Sequence, residues 1–330
     1  MTLFLLLLCV LTPTLKAQDD FFYGTFPADF IWDSATSAYQ IEGAWNLNGK
    51  GESIWDFQAH SADSGIRDNA TGDVASDSYH RYIEDVASLA QMGVTFYRFS
   101  FSWSRLLPTG HADLVNQDGD EFQGWLADDI VEAFGNYANL GWFAHPIFSA
   151  TEDYPSEMKE AVARHSTEEG LSESRLPEFD AAWISYIKGT SDFFGLNHYT
   201  TGLCEYSVGG DIPSFVRDQD NTQSLDPSWP ESEASPWIKV VPWGFRKLLN
   251  WIKDEYNNPR LIVTENGFAD YGELNDAGRV EYYRLYVDEL LKAVLLDGCD
   301  VFGYTAWSLI DNFEWLQGYA DNGFPAPKTP

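Results

Sequence analysis

Hydrophobic positions along the chain follow two rhythms. Between Asp77 and Met92 the apolar residues Tyr79, Tyr82, Ile83, Val86, Leu89 and Ala90 recur at helical spacing, and Gly93 follows them. An amphipathic helix ending at that glycine is predicted. The run VTFYRFSFSW comes next and reads as a buried strand, as does a shorter apolar run ending near Ser34. The C-terminal half repeats the pattern. DFFGLNHYT (192–200), RLIVTENG (260–267) and DVFGYTAWSLID (300–311) read as strands. Pro242 to Tyr256 and Asp276 to Leu296 read as helices, the second with Val280, Tyr283, Val287, Leu290, Leu291 and Val294 on one side.

Strands that alternate with helices predict an α/β fold with a mostly parallel sheet. Each strand ends in polar or aromatic groups: Ser34, Arg98, Asn197, Glu265, and Trp307 with Ser308. Functional groups at the carboxyl ends of several strands are the pattern of a (β/α)8 TIM barrel. The middle of the chain breaks it. Between Arg105 and Phe193 there is room for nearly three βα units at roughly 30 residues each. Yet only Trp125 to Asn139 reads as a helix, and the one dense apolar run, GWFAHPIF, carries Pro146, which demotes it as a strand. Five strands are predicted where a closed barrel needs eight, so the barrel is expected to be incomplete, with about strands 3–5 and the C-terminal end absent or disrupted.

Composition narrows the function. The opening MTLFLLLLCVLTPTLKAQDD has the apolar run and the small residue, Ala17, of a secretory signal peptide, too short to span a membrane. Residues 1–17 are read as that signal and 18–330 as one truncated domain, secreted or lumenal, with no transmembrane segment. Cleavage leaves 19 basic against 51 acidic side chains, a formal charge of −32, which argues against nucleic acid and anionic membranes as partners. Cys204 and Cys299 remain; pairing and free thiols are both open. Asn69-Ala70-Thr71 is an N-glycosylation sequon.

Glu265, placed where a buried strand stops, is a candidate nucleophile or base. Asn197 and Tyr199, Gln40, Arg98, Trp307, Glu314 and Trp315 fall at or just beyond other strand ends. Amides and carboxylates bind pairs of hydroxyls, and indoles cover the CH face of a sugar ring, so a neutral carbohydrate is the expected ligand. The segments FPADFIWDSATSAYQIEGAWNLNGKGESIWD, DVASDSYHRYIEDVASLAQMGVTFYRFSFSWSRLLP, DFFGLNHYT, LIVTENGF and GYTAWSLIDNFEW, in that order, resemble family 1 glycoside hydrolases, the group of β-glucosidases, lactase-phlorizin hydrolase and klotho-type proteins. The resemblance covers most of residues 22–110 and 190–316. It implies Glu265 as nucleophile, Gln40, Asn197, Tyr199, Trp307, Glu314 and Trp315 around the substrate, Arg98 and Tyr199 tuning the nucleophile, a β-glycoside substrate, and no metal or organic cofactor.

The same resemblance exposes two gaps. The family carries a YHWDLP-like motif on its third strand and NEP, whose Glu is the acid/base, on its fourth; neither is present. The stretch VNQDGDEFQGWLADDIVEAFGNYANLGWFAHPIF looks like distant pieces joined near Gly119 to Glu121 and near Asn139 to Gly141. Glu132, Glu152 and Glu157 offer no substitute acid. The expectation is a β-glycosidase-type chain of weak or lost activity. The alternatives are a non-catalytic klotho-like sugar- or protein-binding chain and the product of an aberrant transcript.

Overall fold

The computed structural model describes residues 21–112, 114–116, 137–151, 153–207, 212–272 and 275–319. The proposed signal peptide, Glu132 and Glu152 lie outside them. Five parallel strands form one sheet: β1 (Ile31–Ala35), β2 (Phe96–Arg98), β3 (Phe194–Asn197), β6 (Leu261–Gly267) and β7 (Val301–Trp307). They lie in the order β2-β1-β7-β6-β3. Read as a circle, that order follows the chain, and the last strand pairs with the first through Ile31↔Gly303 to Ala35↔Trp307. This is the closing pairing of a barrel, with the gap between β2 and β3 where three staves would stand. The predicted five-strand, incomplete (β/α)8 architecture is what the described residues form.

The core lies between one face of β3, β6 and β7 and the helices Pro242–Glu255 and Ala277–Leu295. Pro242 opens the first helix at a position where its missing N–H costs nothing. Asp276 caps the second by accepting from Arg279 N. Phe245, Leu249 and Ile252 meet Tyr282, Tyr286 and Leu290 there, all essentially excluded from solvent. The expected apolar face of the second helix is therefore rotated. Tyr282, Tyr286, Leu290 and Ala293 are buried, Tyr283, Val287 and Val294 pack beside them, and Val280 is exposed.

A larger departure is the helix Ser78–Met92. Its limits match the pattern, and Gly93 ends it at φ 74. Of its expected core face, however, only Leu89 is buried, and Tyr82, Ile83 and Val86 are exposed. Phe96 on β2 is also exposed. Both results have one cause: β2 is the edge of the sheet, and no described element beyond it covers its apolar neighbours.

Among the described residues no further strand joins the sheet between β2 and β3. The run GWFAHPIF belongs to the helix Tyr137–Phe148, with Pro146 in its last turn, and the helices Ser156–Glu168 and Ala181–Ile187 follow. The expected helix from Trp125 falls mostly outside the described residues. An antiparallel hairpin, β4 (Leu203–Tyr206) with β5 (Asn221–Ser224), follows β3 and has no counterpart in the sequence reading. Cys204 is exposed and Cys299 buried, both free thiols. No helix among the described residues is long and apolar enough to cross a membrane.

Candidate active site

The site is built where five parallel strands end. Paired residues of parallel strands point to the same face, and Thr305 Oγ1 donates to Asp33 Oδ2 at 3.2 Å, so Asp33, Thr305 and their partner Phe96 share the inner face. Arg98, paired with Ala35 two residues on, continues it. From there the Arg98 guanidinium donates to Glu265 Oε1 as an ion pair. The other carboxylate oxygen, Oε2, accepts from the Tyr199 hydroxyl at 2.6 Å. Those two are the partners of Glu265, one per oxygen, supplied by β2 and by the segment after β3.

Register brings them together. Asn197 pairs with Glu265 after a bulge that follows Leu196, and His198 N donates to Glu265 O at 2.9 Å. The bulge re-aims the chain end so that Tyr199 turns toward the carboxylate. Asn197 itself accepts from Thr264 Oγ1 at 2.7 Å, an internal bond that leaves its amide N–H groups for other partners. Burial, and then the Glu265 charge, raise the Tyr199 phenol well above its ordinary value, so it keeps its proton and stays a donor to Glu265. The charge of Glu314 acts in the same direction, which places Glu314 in the same site.

Trp307 ends β7 and donates through Nε1 to Glu314 Oε1 at 3.4 Å. Gly267 explains how closely β6 and β7 approach there. A Cβ on it would lie 2.2 Å from Trp307 O, so only glycine fits. Gln40 is buried, and its amide nitrogen donates to Asn312 Oδ1 at 2.8 Å and Phe313 O at 3.0 Å. That fixes its orientation beside the segment that leads from β7 to Glu314, with the carbonyl oxygen remaining as an acceptor. Trp315 stacks instead among aromatic side chains: Trp55 at 4.5 Å and Tyr39 at 6.4 Å between centroids. These two packing partners were not anticipated.

Another unanticipated residue is Trp237. Its half-exposed ring stands edge-on to Tyr199 at 6.1 Å, an open indole at the rim of the site. No regular spacing in the sequence marks it; SPWIKV is a loop segment, and only its proximity to Tyr199 in space gives it meaning. Asp33 is also unanticipated. It sits on the inner face near Arg98, and burial pushes its carboxyl from 3.8 to about 7 against the opposing pull of the Ser34 N–H, Thr305 and Arg98. Glu157 begins a helix elsewhere and bonds Ser156, away from these residues.

The arrangement is a carboxylate held on both oxygens, with Trp237 beside its Tyr199 partner and the Trp307–Glu314 pair at the end of β7. Comparison with known proteins decides what that means. The model of "Glycosyl hydrolase family 1" matches residues 22–134 and again 126–324. The chain belongs to glycosyl hydrolase family 1.

Its relatives are glycosidases. Myrosinase 1 of Brevicoryne brassicae is 32% identical over 89% of this chain and 92% of its own length, and the human cytosolic beta-glucosidase 32% over 89% and 91%. Lactase/phlorizin hydrolase of Rattus norvegicus is 35% identical over 93% of this chain, which spans only 23% of that protein. Among solved structures, aphid myrosinase superposes with a TM-score of 0.79 at 30% identity, covering 90% of this chain and 92% of that one. A glucose complex of a beta-glucosidase from Humicola insolens gives 0.76 at 26% identity, covering 90% and 92%. The lengths also give the size of the difference. The myrosinase alignment runs over 428 residues, of which this 330-residue chain supplies 89%, about 294; about 134 positions stand opposite nothing. That is enough for three βα units of roughly 30 to 45 residues, in agreement with the gap between β2 and β3.

Proposed function

We propose that this family 1 chain carries the glycosyl-transferring half of a retaining β-glycosidase and lacks the proton-transferring half. Glu265 would attack the anomeric carbon of a terminal β-linked sugar. The C1–O bond to the aglycone breaks, and the electron pair leaves with the aglycone oxygen. Support comes from one observation above all: both oxygens of Glu265 are held, by Arg98 and by Tyr199, in a strand-end site. A rice beta-glucosidase variant of the same fold, 25% identical, has been captured in a covalent complex with glucose. Gln40, Asn197, Glu314 and Trp307 would bind the sugar, with Trp315 backing the wall and Trp237 facing the aglycone.

A retaining glycosidase uses a second carboxyl about 5–5.5 Å from the first to protonate the departing oxygen and later to deprotonate water. The NEP tripeptide that would supply it occurs nowhere in the chain. General acid–base help is worth roughly 10²–10⁴-fold. Turnover is therefore restricted to leaving groups that depart as stable anions, and the glycosyl-enzyme is slow to hydrolyse. The test is nitrophenol release from a panel of nitrophenyl β-glycosides, with and without azide, in the parent and Glu265→Gln. Azide needs no deprotonation, so it accelerates release in the parent and does nothing in the variant. Glu265-dependent turnover of an unactivated disaccharide, indifferent to azide, would show that an acid partner exists.

The same gap favours a second reading, a non-catalytic sugar- or protein-binding chain. Saturable heat of binding for methyl β-glucoside or β-galactoside without any nitrophenol release would favour it. We further propose entry into the secretory pathway through residues 1–17 and a glycan on Asn69, which stands in an exposed turn. A mobility shift on enzymatic deglycosylation of secreted material tests both.

A further inference from the structure

Behind Glu265, on the opposite face of β6, lies a second polar cluster that the sugar site does not use. Asn266 is fully buried in the core between the sheet and the helix Ala277–Leu295. Every side-chain group it has is engaged with a named partner. Its amide nitrogen donates to His198 O at 2.5 Å and to the Tyr282 hydroxyl at 2.8 Å, and its carbonyl oxygen accepts from the Tyr304 hydroxyl at 2.5 Å. The Tyr282 hydroxyl passes the connection on, donating to Tyr199 O at 2.9 Å.

The two backbone carbonyls so held, His198 O and Tyr199 O, belong to the peptide planes on either side of Tyr199. Fixing both planes fixes the direction in which the Tyr199 side chain leaves the backbone, and that side chain places its hydroxyl on Glu265 Oε2. We infer that Asn266 and Tyr282 are positioning residues: they aim Tyr199, and through it the nucleophile. This rests on the reading of Glu265 as nucleophile given above. The chemistry favours aiming over simple core filling. An apolar side chain would fill the same volume without a desolvation cost, whereas an amide among buried tyrosines is tolerated only where each group is satisfied. Here the satisfied groups converge on one residue of the site.

The structure supplies its own control. Tyr286 stacks on Tyr282 at 4.1 Å, is as deeply buried, and accepts from Val241 N; its hydroxyl also bonds that of Tyr282, but among the described residues it has no direct bond to Tyr199 or Asn266. Asn266→Ala is the direct variant, but loss of a buried hub can prevent folding. Tyr282→Phe keeps the ring and its stack and removes only the hydroxyl; Tyr286→Phe removes an equivalent hydroxyl from the neighbour. The probe is 2,4-dinitrophenyl 2-deoxy-2-fluoro-β-glucoside, and the readout is its rate of covalent capture, resolved into a binding constant and a chemical rate constant.

Misplacement of about 1 Å in a reacting group costs up to roughly 100-fold. Tyr282→Phe is expected to slow the chemical step roughly 10- to 100-fold with its binding constant nearly unchanged. Tyr286→Phe is expected to leave both near the parent, and Tyr282→Phe to add nothing in a Tyr199→Phe background. Equal effects of the two Phe variants, or full additivity with Tyr199→Phe, would overturn the inference. If the parent captures no sugar, the nucleophile reading fails, and a second measurement still decides this one. The Tyr199 hydroxyl proton, identified by its loss in Tyr199→Phe, should give a slowly exchanging downfield NMR signal. Its loss in Tyr282→Phe with retention in Tyr286→Phe supports the inference; retention in both overturns it.

Discussion

Asp33→Asn tests the inner face of the sheet without any assay of activity. Asp33 is 5% exposed, and its oxygens accept from Ser34 N at 2.6 Å and Thr305 Oγ1 at 3.2 Å. Burial outweighs these bonds and the nearby Arg98 cation and raises the carboxyl from 3.8 to about 7. The folded chain thus binds this proton more tightly than the unfolded chain. The stability it contributes is fully present below about pH 4 and is lost as pH rises through about 7. At about 1.36 kcal/mol per unit the rise is worth roughly 4 kcal/mol, and water reaching the open side of the sheet screens it to about 2 kcal/mol. Asparagine is neutral at every pH. Its oxygen can accept from Ser34 N and its amide can donate to the Thr305 hydroxyl, so the packing is kept. Urea unfolding of parent and variant at pH 4, 6, 7 and 8.5 is the assay. The two should match at pH 4, diverge between pH 4 and 7, and differ by about 2 kcal/mol at pH 8.5 in favour of Asp33→Asn. A difference that is constant with pH, or largest at pH 4, refutes the reasoning.

Three other variants probe the scaffold, the last a double substitution. Gly267→Ala places a methyl 2.2 Å from Trp307 O and forces β6 and β7 apart where the site forms; a loss of about 1–3 kcal/mol in thermal or urea unfolding is expected, with weaker sugar binding by calorimetry. Arg105, excluded from solvent, bonds Glu42 Oε2 at 3.0 Å and Gly43 O at 3.1 Å and lies 4.3 Å over the Tyr79 ring. Arg105→Ala removes the buried cation from Glu42 and should cost about 3–5 kcal/mol in urea unfolding, with partial recovery when Glu42→Gln is added. Ile83→Gln with Val86→Gln on the exposed face of the Ser78–Met92 helix should change unfolding free energy by less than about 0.5 kcal/mol each while reducing aggregation by light scattering; a cost above about 2 kcal/mol would mean that face is covered.

How far the sequence foretold this molecule depended on how local each determinant is. The helices Pro242–Glu255 and Ala277–Leu295 were legible to within a residue because their signals are local: a proline at the first turn and an aspartate cap. The strands β6 and β7 were legible as continuous apolar runs, the mark of a sheet buried on both faces. VTFYRFSFSW shortened to Phe96–Arg98 because an edge strand pairs on one side only. The β4–β5 hairpin left no trace in the pattern, since LCEY and NTQS are mostly exposed, lack apolar alternation and are separated by a connection that holds the short helix Phe215–Asp218. Burial of the Ser78–Met92 helix was misjudged for a different reason. Periodicity reports which face is apolar, but not whether anything covers it, and among the described residues no element does.

The same division holds at the site. Glu265, Arg98 and Tyr199 stood out as polar groups ending apolar strands, and the structure joins all three. Asn266, adjacent to Glu265 in the same motif, was passed over because the period of a strand turns it away from the site. Its connection to Tyr199 runs through Tyr282, 83 residues from Tyr199 in the chain. Trp237 and the Trp55–Tyr39–Trp315 cluster are likewise contacts of tertiary structure with no spacing rule behind them.

The most direct measurement of the central claim is peptide mapping by mass spectrometry after incubation with 2,4-dinitrophenyl 2-deoxy-2-fluoro-β-glucoside. A nucleophile without its acid partner should accept the sugar from so good a leaving group and hold it. The expected result is one hexosyl increment on the peptide containing Glu265, stoichiometric with dinitrophenol released and absent in Glu265→Gln. An unmodified Glu265 peptide after dinitrophenol has been released, or the increment on another carboxylate, would contradict the account.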